Sequence, residues 1–272
     1  MKVVLIGRGR VGSGLARELR RAGVPARNIR GSGSRPLSVG TADVVIVAVP
    51  DGAIGNVARR LAPRLRPDSV VLHCAGALGP GVLGPCAAAG AATGAMHPLV
   101  SFPAAGAVPS ITGATFVIDG DPAAVRAACT ITEAIGAWPL VAPLHGARYH
   151  AAAALVANGS AALAAVAVGL LERVGIEPRA AVRAVGALLR SVGDNVETVG
   201  VPGALTGPVA RGDAATVLRH RKALADTPGG DAGALAAYDA TAPMIVAVAR
   251  AAGLSSRRAA AIRRALSKKV QG

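Results

Sequence analysis

Apolar and polar positions along this chain change their period once. Up to about residue 143, short apolar runs alternate with helical spacing. Residues 2–6, 43–50, 69–73, 114–119 and 138–141 read as strands, with a weaker one at 28–31. The run Val44-Val45-Ile46-Val47-Ala48-Val49 is almost continuously apolar, which predicts a strand covered on both faces. Helices are predicted over 15–21, from Asp51 to about Leu65, and over 122–135. In the first of these, Leu15 and Leu19 lie four apart, and Arg17, Glu18, Arg20 and Arg21 take the wetter side. Pro50 ends a strand, and Asp51 is placed to cap the helix after it. A segment at 91–96 leads into a loop, His97-Pro98-Leu99-Val100-Ser101-Phe102-Pro103. From Gly146 onward only helical patterns remain, at 147–173, 178–192, 213–225, 232–252 and 255–268. Gly175 suits a helix end and Pro178 a first turn. The expected fold is therefore α/β, a doubly wound sheet over residues 1–145, followed by an all-α domain over 146–272.

The junction of the first strand and helix carries chemistry. Gly7, Gly9 and Gly12 stand at the spacing G-x-G-x-x-G, directly after a strand and at the opening of a helix. The first glycine makes the tight turn, the second admits a pyrophosphate, and the third lets helix and strand pack closely. The free N–H groups at the helix start, around Arg10, Val11 and Gly12, then face the phosphates. Val49 and Pro50, at the end of the third strand, are expected to line the same dinucleotide site. NAD-preferring sites place an acidic residue about twenty positions beyond the glycines. Here no Asp or Glu occurs between Glu18 and Asp43. Arg30, Ser32, Ser34 and Arg35 occupy that region instead, and guanidinium and hydroxyl groups donate to a 2′-phosphate. The cofactor read from this loop is NADP; the alternative is a merely exposed basic loop.

Composition narrows the partners. The net charge is +15, but only 2% of residues are aromatic, so stacking platforms for bases are scarce and nucleic acid is not an expected partner. The basic C-terminal stretch from Arg257 to Lys269 reads as a solvated helix face. Three cysteines, with no C-x-x-C pair, give neither a disulfide framework nor a zinc spacing. The first apolar run is too short for a signal peptide, so a cytoplasmic protein is expected. Residues 151–171 carry no charge and are long enough to span a bilayer. Their alanine content, with Asn158, Gly159 and Ser160, points to a buried helix rather than a membrane anchor. Small residues permit close helix packing, so a homodimer built on the helical domain is expected.

The polar candidates keep two readings each. His97 precedes a proline that holds its backbone extended, and an imidazole there can donate to or accept from a substrate oxygen. Otherwise it is a loop histidine bonded to backbone. His73 ends a strand and either takes part in the site or only orients the loop Cys74-Ala75-Gly76-Ala77-Leu78-Gly79. Asn158 interrupts an apolar helix, and its amide needs a partner, either substrate or a neighbouring helix. Tyr149 and His150 are similarly open. Arg211-Gly212-Asp213 is either a turn with Asp213 as N-cap or a clamp for a substrate carboxylate. Cys74 has no base beside it except His73.

The strand pattern, Val47-Ala48-Val49-Pro50-Asp51 after the third strand and the helical second half together resemble the 6-phosphogluconate dehydrogenase-like superfamily. That group includes ketopantoate reductase, pyrroline-carboxylate reductase and prephenate dehydrogenase. A closer resemblance is to a bacterial Rossmann-like family with a helical C-terminal domain of unknown function. It is carried by His73 with Gly76, His97-Pro98-Leu99 with Phe102-Pro103, Tyr149-His150-Ala151-Ala152, Asn158, Leu205-Thr206-Gly207-Pro208, Arg211-Gly212-Asp213, and His220 with Leu224.

The resemblance implies a nicotinamide-dependent oxidoreductase acting on a small molecule, with hydride transfer at an interdomain cleft. The hydroxyacid dehydrogenase relatives present Lys-x-x-x-Asn to the substrate. Asn158 matches the asparagine, but Ala154 stands where the lysine would be, and His150 is the substitute donor. Prephenate dehydrogenases carry a His-Pro motif at the sheet edge that His97-Pro98 resembles. The resulting expectation is an NADPH-dependent reductase of a carbonyl or imine compound. His97 is its proton donor or polariser, Asn158 orients the substrate, and His150 is held in reserve. The alternatives are a non-catalytic NADP(H)-binding sensor and a prephenate-dehydrogenase-like enzyme.

Overall fold

The computed structural model describes residues 1–33, 36–143, 146–226 and 232–270. Seven strands form one sheet: β1 (Val3–Ile6), β2 (Ala26–Ile29), β3 (Val44–Val47), β4 (Val70–His73), β5 (Ala92–Pro98), β6 (Thr115–Gly120) and β7 (Trp138–Val141). Their order is β2-β1-β3-β4-β5-β6-β7, and every pairing is parallel except β5 with β6. The alternation of side chains along the strands divides the core into two layers. Val3, Leu5, Val44, Ile46 and Leu72 pack with α1 (Arg10–Arg21) and α4 (Pro122–Ala134). Val4, Ile6, Val45, Val47 and Val71 pack on the other face with α2 (Asp51–Leu61) and α3 (Gly84–Ala88). Both faces of the central strands are thus covered, as their unbroken apolar runs require.

Three readings of this half need correction. His97 is not in a loop: β5 extends through Pro98, with His97 opposite Val117 and Pro98 opposite Phe116. The extended backbone that Pro98 demands of its predecessor is satisfied inside a strand, and the proline, lacking an N–H, takes the strand's last position. Asp51 does not cap α2. Pro50 is the N-cap residue, and Asp51 is the first residue of the helix, where its charge complements the helix dipole. The weak strand at 28–31 sits two residues earlier, at Ala26–Ile29.

Two compact units are distinguished, Met1–Val156 and Ala157–Gly272. The division falls inside α5 (Gly146–Arg173). The second unit continues with α6 (Pro178–Ala204), α7 (Gly207–Arg211), α8 (Ala214–Ala225), α9 (Ala232–Ala251) and α10 (Ser256–Ser267). Its core gathers Val209, Val217, Val246, Ala249 and Ile262. The helix expected over 178–192 runs on to Ala204 and is interrupted at Gly200, whose φ of 73° leaves the helical region just before Pro202. Asp213 does cap α8, its carboxylate accepting the N–H of Thr216 at 3.0 Å, while Gly212 turns at φ 73°. Arg211-Gly212-Asp213 is therefore a structural turn.

The expectation of a buried helix over 151–171 is not met within one chain. None of α5's residues is buried, and Leu163 is 46% exposed. By length and composition α5 is the one helix among the described residues that qualifies to cross a membrane.

Candidate functional site

The register of the sheet collects the candidate residues at one edge. Ile6, Val47, His73 and Ala95 lie in a single row across β1, β3, β4 and β5. The Gly7–Gly9 turn, Val49-Pro50, the loop 74–79 and His97 all lie just beyond that row. They therefore share the carboxyl edge of the parallel strands, where open α/β sheets bind ligands. The strand order reverses between β1 and β3, so the glycine turn and Val49-Pro50 flank the switch point.

The glycine turn is packed as a dinucleotide cradle must be. A methyl group on Gly7 would lie 2.0 Å from the Ala48 carbonyl oxygen, and one on Gly12 would lie 2.1 Å from the Gly7 carbonyl oxygen. At Gly9 it would meet nothing within 4 Å. Two glycines thus close the strand–helix junction, and the middle one faces open space. No side chain caps α1, so its first N–H groups point outward from Gly9. A cavity of about 320 Å³ opens there, lined by Gly7, Gly9, Arg30, Ser32, Val49 and Pro50 among others. A neighbouring cavity of about 710 Å³ is bordered by Arg8, Arg30, Ser32 and Ser38. This donor set suits an anion, and the residues present fit a nicotinamide dinucleotide.

Arg8 and Ser38 are absent from the sequence reading. Arg8 sits at a variable position of the glycine motif, and nothing in the spacing separates it from Arg10. Arg10 does something else with its side chain: its guanidinium donates to the carbonyls of Ala104, Ala105, Gly106 and Ala107, with the shortest contact 2.9 Å, to Gly106. Arg17 adds bonds to Val108 and Pro109 at 2.8 and 2.6 Å. Together they strap the segment after β5 onto α1. Ser34 and Arg35 lie outside the described residues.

Further along the edge, His97 meets residues from two other segments. Its Nδ1 is 2.8 Å from the Tyr149 hydroxyl, and the rings meet edge to face at 5.6 Å. His150 is 6.5 Å away, ring centre to ring centre. Gly76 lies against the same ring: a methyl group there would come within 2.7 Å of Cε1 and Nε2. Burial, reinforced by electrostatic interaction with His150, pushes the His97 imidazole down to about 4, against a partial opposing pull from Asp51. His97 is therefore neutral at ordinary pH.

His73 resolves to the structural role. It is completely buried, its Nδ1 accepts the N–H of Ala75 at 3.2 Å, and its Nε2 lies 3.2 Å from the Gly79 carbonyl. With Nδ1 an acceptor, Nε2 carries the proton and donates it to Gly79. Both nitrogens are spent on holding the loop that carries Gly76. Burial raises the Cys74 thiol to about 12, so it is no nucleophile at neutral pH. Asn158 lies in the second unit, on α5, and is exposed. In the second unit, a cavity of about 660 Å³ borders His220 and Tyr238 and holds none of the candidate residues. Among the described residues no group of His, Cys, Asp and Glu is arranged to hold a metal ion.

Residues 33–98 match a Rossmann-like domain, and residues 114–245 match a domain of unknown function, DUF2520. No curated protein is similar in sequence. Among solved structures, the chain is similar to protein TM1727 from Thermotoga maritima, at 24% identity over 92% of this chain and 98% of that one, with a TM-score of 0.65. It is also similar to the imine reductase of Streptomyces aurantiacus, at 16% identity over 98% and 100% of the two chains and a TM-score of 0.56. The pyrroline carboxylate reductase of Plasmodium falciparum, solved with NADP bound, shares 14% identity over 96% and 98%, with a TM-score of 0.54. At these identities the likeness establishes the fold.

Proposed function

We propose that this chain, which pairs a Rossmann-like domain with a DUF2520 domain, is an NADPH-dependent oxidoreductase that reduces a small carbonyl or imine compound. The observation that carries the reading is the placement, on one sheet edge of one unit, of an anion-suited dinucleotide cradle and a neutral histidine held by a tyrosine. Gly7, Gly9, Gly12 and the start of α1 would hold the pyrophosphate. Arg8, Arg30 and Ser32 would hold the 2′-phosphate, and Val49 and Pro50 would border the nucleotide. NADPH, when bound, supplies hydride to a C=O or C=N carbon. His97 offers a hydrogen bond to the acceptor's oxygen or nitrogen, where charge changes during reduction, and the proton that completes the alcohol or amine is drawn from water. A neutral imidazole performs that task as a polariser, without first being charged. Asn158 is proposed as the substrate-orienting amide on its match to the asparagine of Lys-x-x-x-Asn, and His150 as the reserve donor.

The same reading includes a homodimer formed through the helical half. Leu163, Val182, Leu188 and Val199 are exposed apolar side chains on α5 and α6, more than a soluble monomer comfortably presents. Light scattering at micromolar concentration is expected to give twice the chain mass of 26.7 kDa. A monomer would remove the dimer from the reading, as would recovery of the chain only with membranes.

The test of function is a titration with NADPH and NADH, followed by a screen of small ketones, keto acids and cyclic imines read by nicotinamide absorbance. Turnover of any of them with NADPH supports the reductase. Tight NADPH binding without turnover supports a second reading, a non-catalytic NADP(H)-binding regulator, which Ala154 at the usual lysine position favours.

A further inference from the structure

We propose that Tyr149 is a positioning residue that locks His97 in the tautomer with its proton on Nε2, and that the absence of a side chain at Gly76 leaves room for the ring so held. The inference rests on the reading of His97 as polariser, but its geometry stands apart from that reading. The hydroxyl of Tyr149 and Nδ1 of His97 are 2.8 Å apart, and one of the two must donate. A phenol is the more acidic O–H and an imidazole nitrogen the better acceptor, so the tyrosine donates and Nδ1 accepts. A ring whose Nδ1 accepts is neutral, and its remaining proton sits on Nε2. The other arrangement would turn the N–H onto the phenol oxygen and leave the O–H of a half-buried tyrosine without an acceptor among the described residues.

Nε2 is the nitrogen beside Gly76. A side chain at that position would cover Cε1, Nε2 and Cδ2, at 2.7, 2.7 and 2.9 Å from its first carbon. The glycine is held there because His73 spends both its nitrogens on the loop, at Ala75 and Gly79. The first turn of α5 is held close as well: a methyl on Gly146 would stand 3.4 Å from the Ala77 carbonyl oxygen. The strand thus presents the imidazole, the helix fixes one nitrogen, and the loop, with glycine at 76, packs against the ring without displacing it. A hydrogen-bond donor with one defined direction is what a developing negative charge requires.

The experiment is nitrogen-15 NMR of the imidazoles in the full-length protein at neutral pH, with the His97 signals assigned by their loss in His97→Gln. The expected result is a single neutral tautomer protonated at Nε2 in the parent and a mixture of tautomers in Tyr149→Phe. With the substrate found by the nicotinamide screen, Tyr149→Phe is expected to lower kcat about tenfold, the loss of one hydrogen bond's worth of orientation, with KM and NADPH affinity near parental. A parent ring protonated at Nδ1, or a tautomer unchanged in Tyr149→Phe, overturns the proposal. If the tautomer behaves as expected but His97→Ala keeps full turnover, the positioning stands and the catalytic reading of His97 falls.

Discussion

A methyl group placed on Gly76 would lie 2.7 Å from Nε2 of His97, well inside van der Waals contact. Gly76→Ala therefore cannot be accommodated without moving the ring or the loop. Overpacking of this kind costs about 1–3 kcal/mol in stability. The ring is the more movable partner, so the chain is expected to fold, with NADPH affinity near parental and kcat at least about tenfold lower. Thermal unfolding together with steady-state kinetics checks this, and a parental kcat would show that the ring has room to spare.

Arg8, from the glycine turn, and Arg30, just after β2, border one cavity together with Ser32 and Ser38. A 2′-phosphate there would gain charge-assisted hydrogen bonds that a ribose hydroxyl cannot match. Arg8→Glu with Arg30→Glu is expected to weaken NADPH binding by more than about a hundredfold, on the scale of about 1.5–3 kcal/mol per charged hydrogen bond, and to leave NADH within a few fold. Isothermal titration of both nucleotides decides it. Equal NADPH and NADH affinities in the parent would defeat the assignment of this cavity before any variant is made.

The glycine spacing and the apolar strands made the first unit legible, because both follow from local backbone demands. β5 was harder to read. Its residues Ala92, Gly94 and Ala95 are small and have little strand character. They are small for a tertiary reason: a methyl on Gly94 would meet the Asp119 carbonyl at 2.9 Å and the Ala124 side chain at 3.0 Å. That hid His97's place in a strand. The Tyr149 contact was equally hidden, since its partners are 52 positions apart and only the fold joins them. His73 showed the converse, a suggestive residue whose nitrogens turn out to be used up by its own loop.

Arg221 was likewise concealed, within the basic run Arg219-His220-Arg221-Lys222. Its side chain is 7% exposed and forms a two-pronged pair with Asp239, at 2.8 and 2.9 Å, besides bonds to the carbonyls of Ala265 and Lys268. It ties α8 to α9 and to the end of α10. Arg221→Ala leaves a carboxylate and two carbonyls without their donor, and is expected to cost about 3 kcal/mol. Urea unfolding followed by circular dichroism measures the loss. A change below about 0.5 kcal/mol would mean that water replaces the guanidinium without penalty.

The depressed pKa of His97 gives the pH behaviour a definite sign. Above about 6.5, the ordinary histidine value, the ring is neutral in both the folded and the unfolded chain. As pH falls from there toward about 4, the unfolded chain takes up a proton that the folded chain refuses, so stability declines through that window. Desolvation is the main cause. Electrostatic interaction with His150 and His73 adds to it, the Asp51 carboxylate opposes it, and Tyr149 faces the ring as a neutral donor. His97→Gln is expected to flatten part of the acid limb of the stability curve, with the share due to buried His73 remaining. Turnover should follow the same logic. A neutral donor gives a kcat level from about pH 6.5 to 8 that does not climb on acidification, whereas an imidazolium acid gives one that rises as pH falls through 6.5. A pH–rate profile with that rise, abolished in His97→Gln, would show that the ring is charged when it acts.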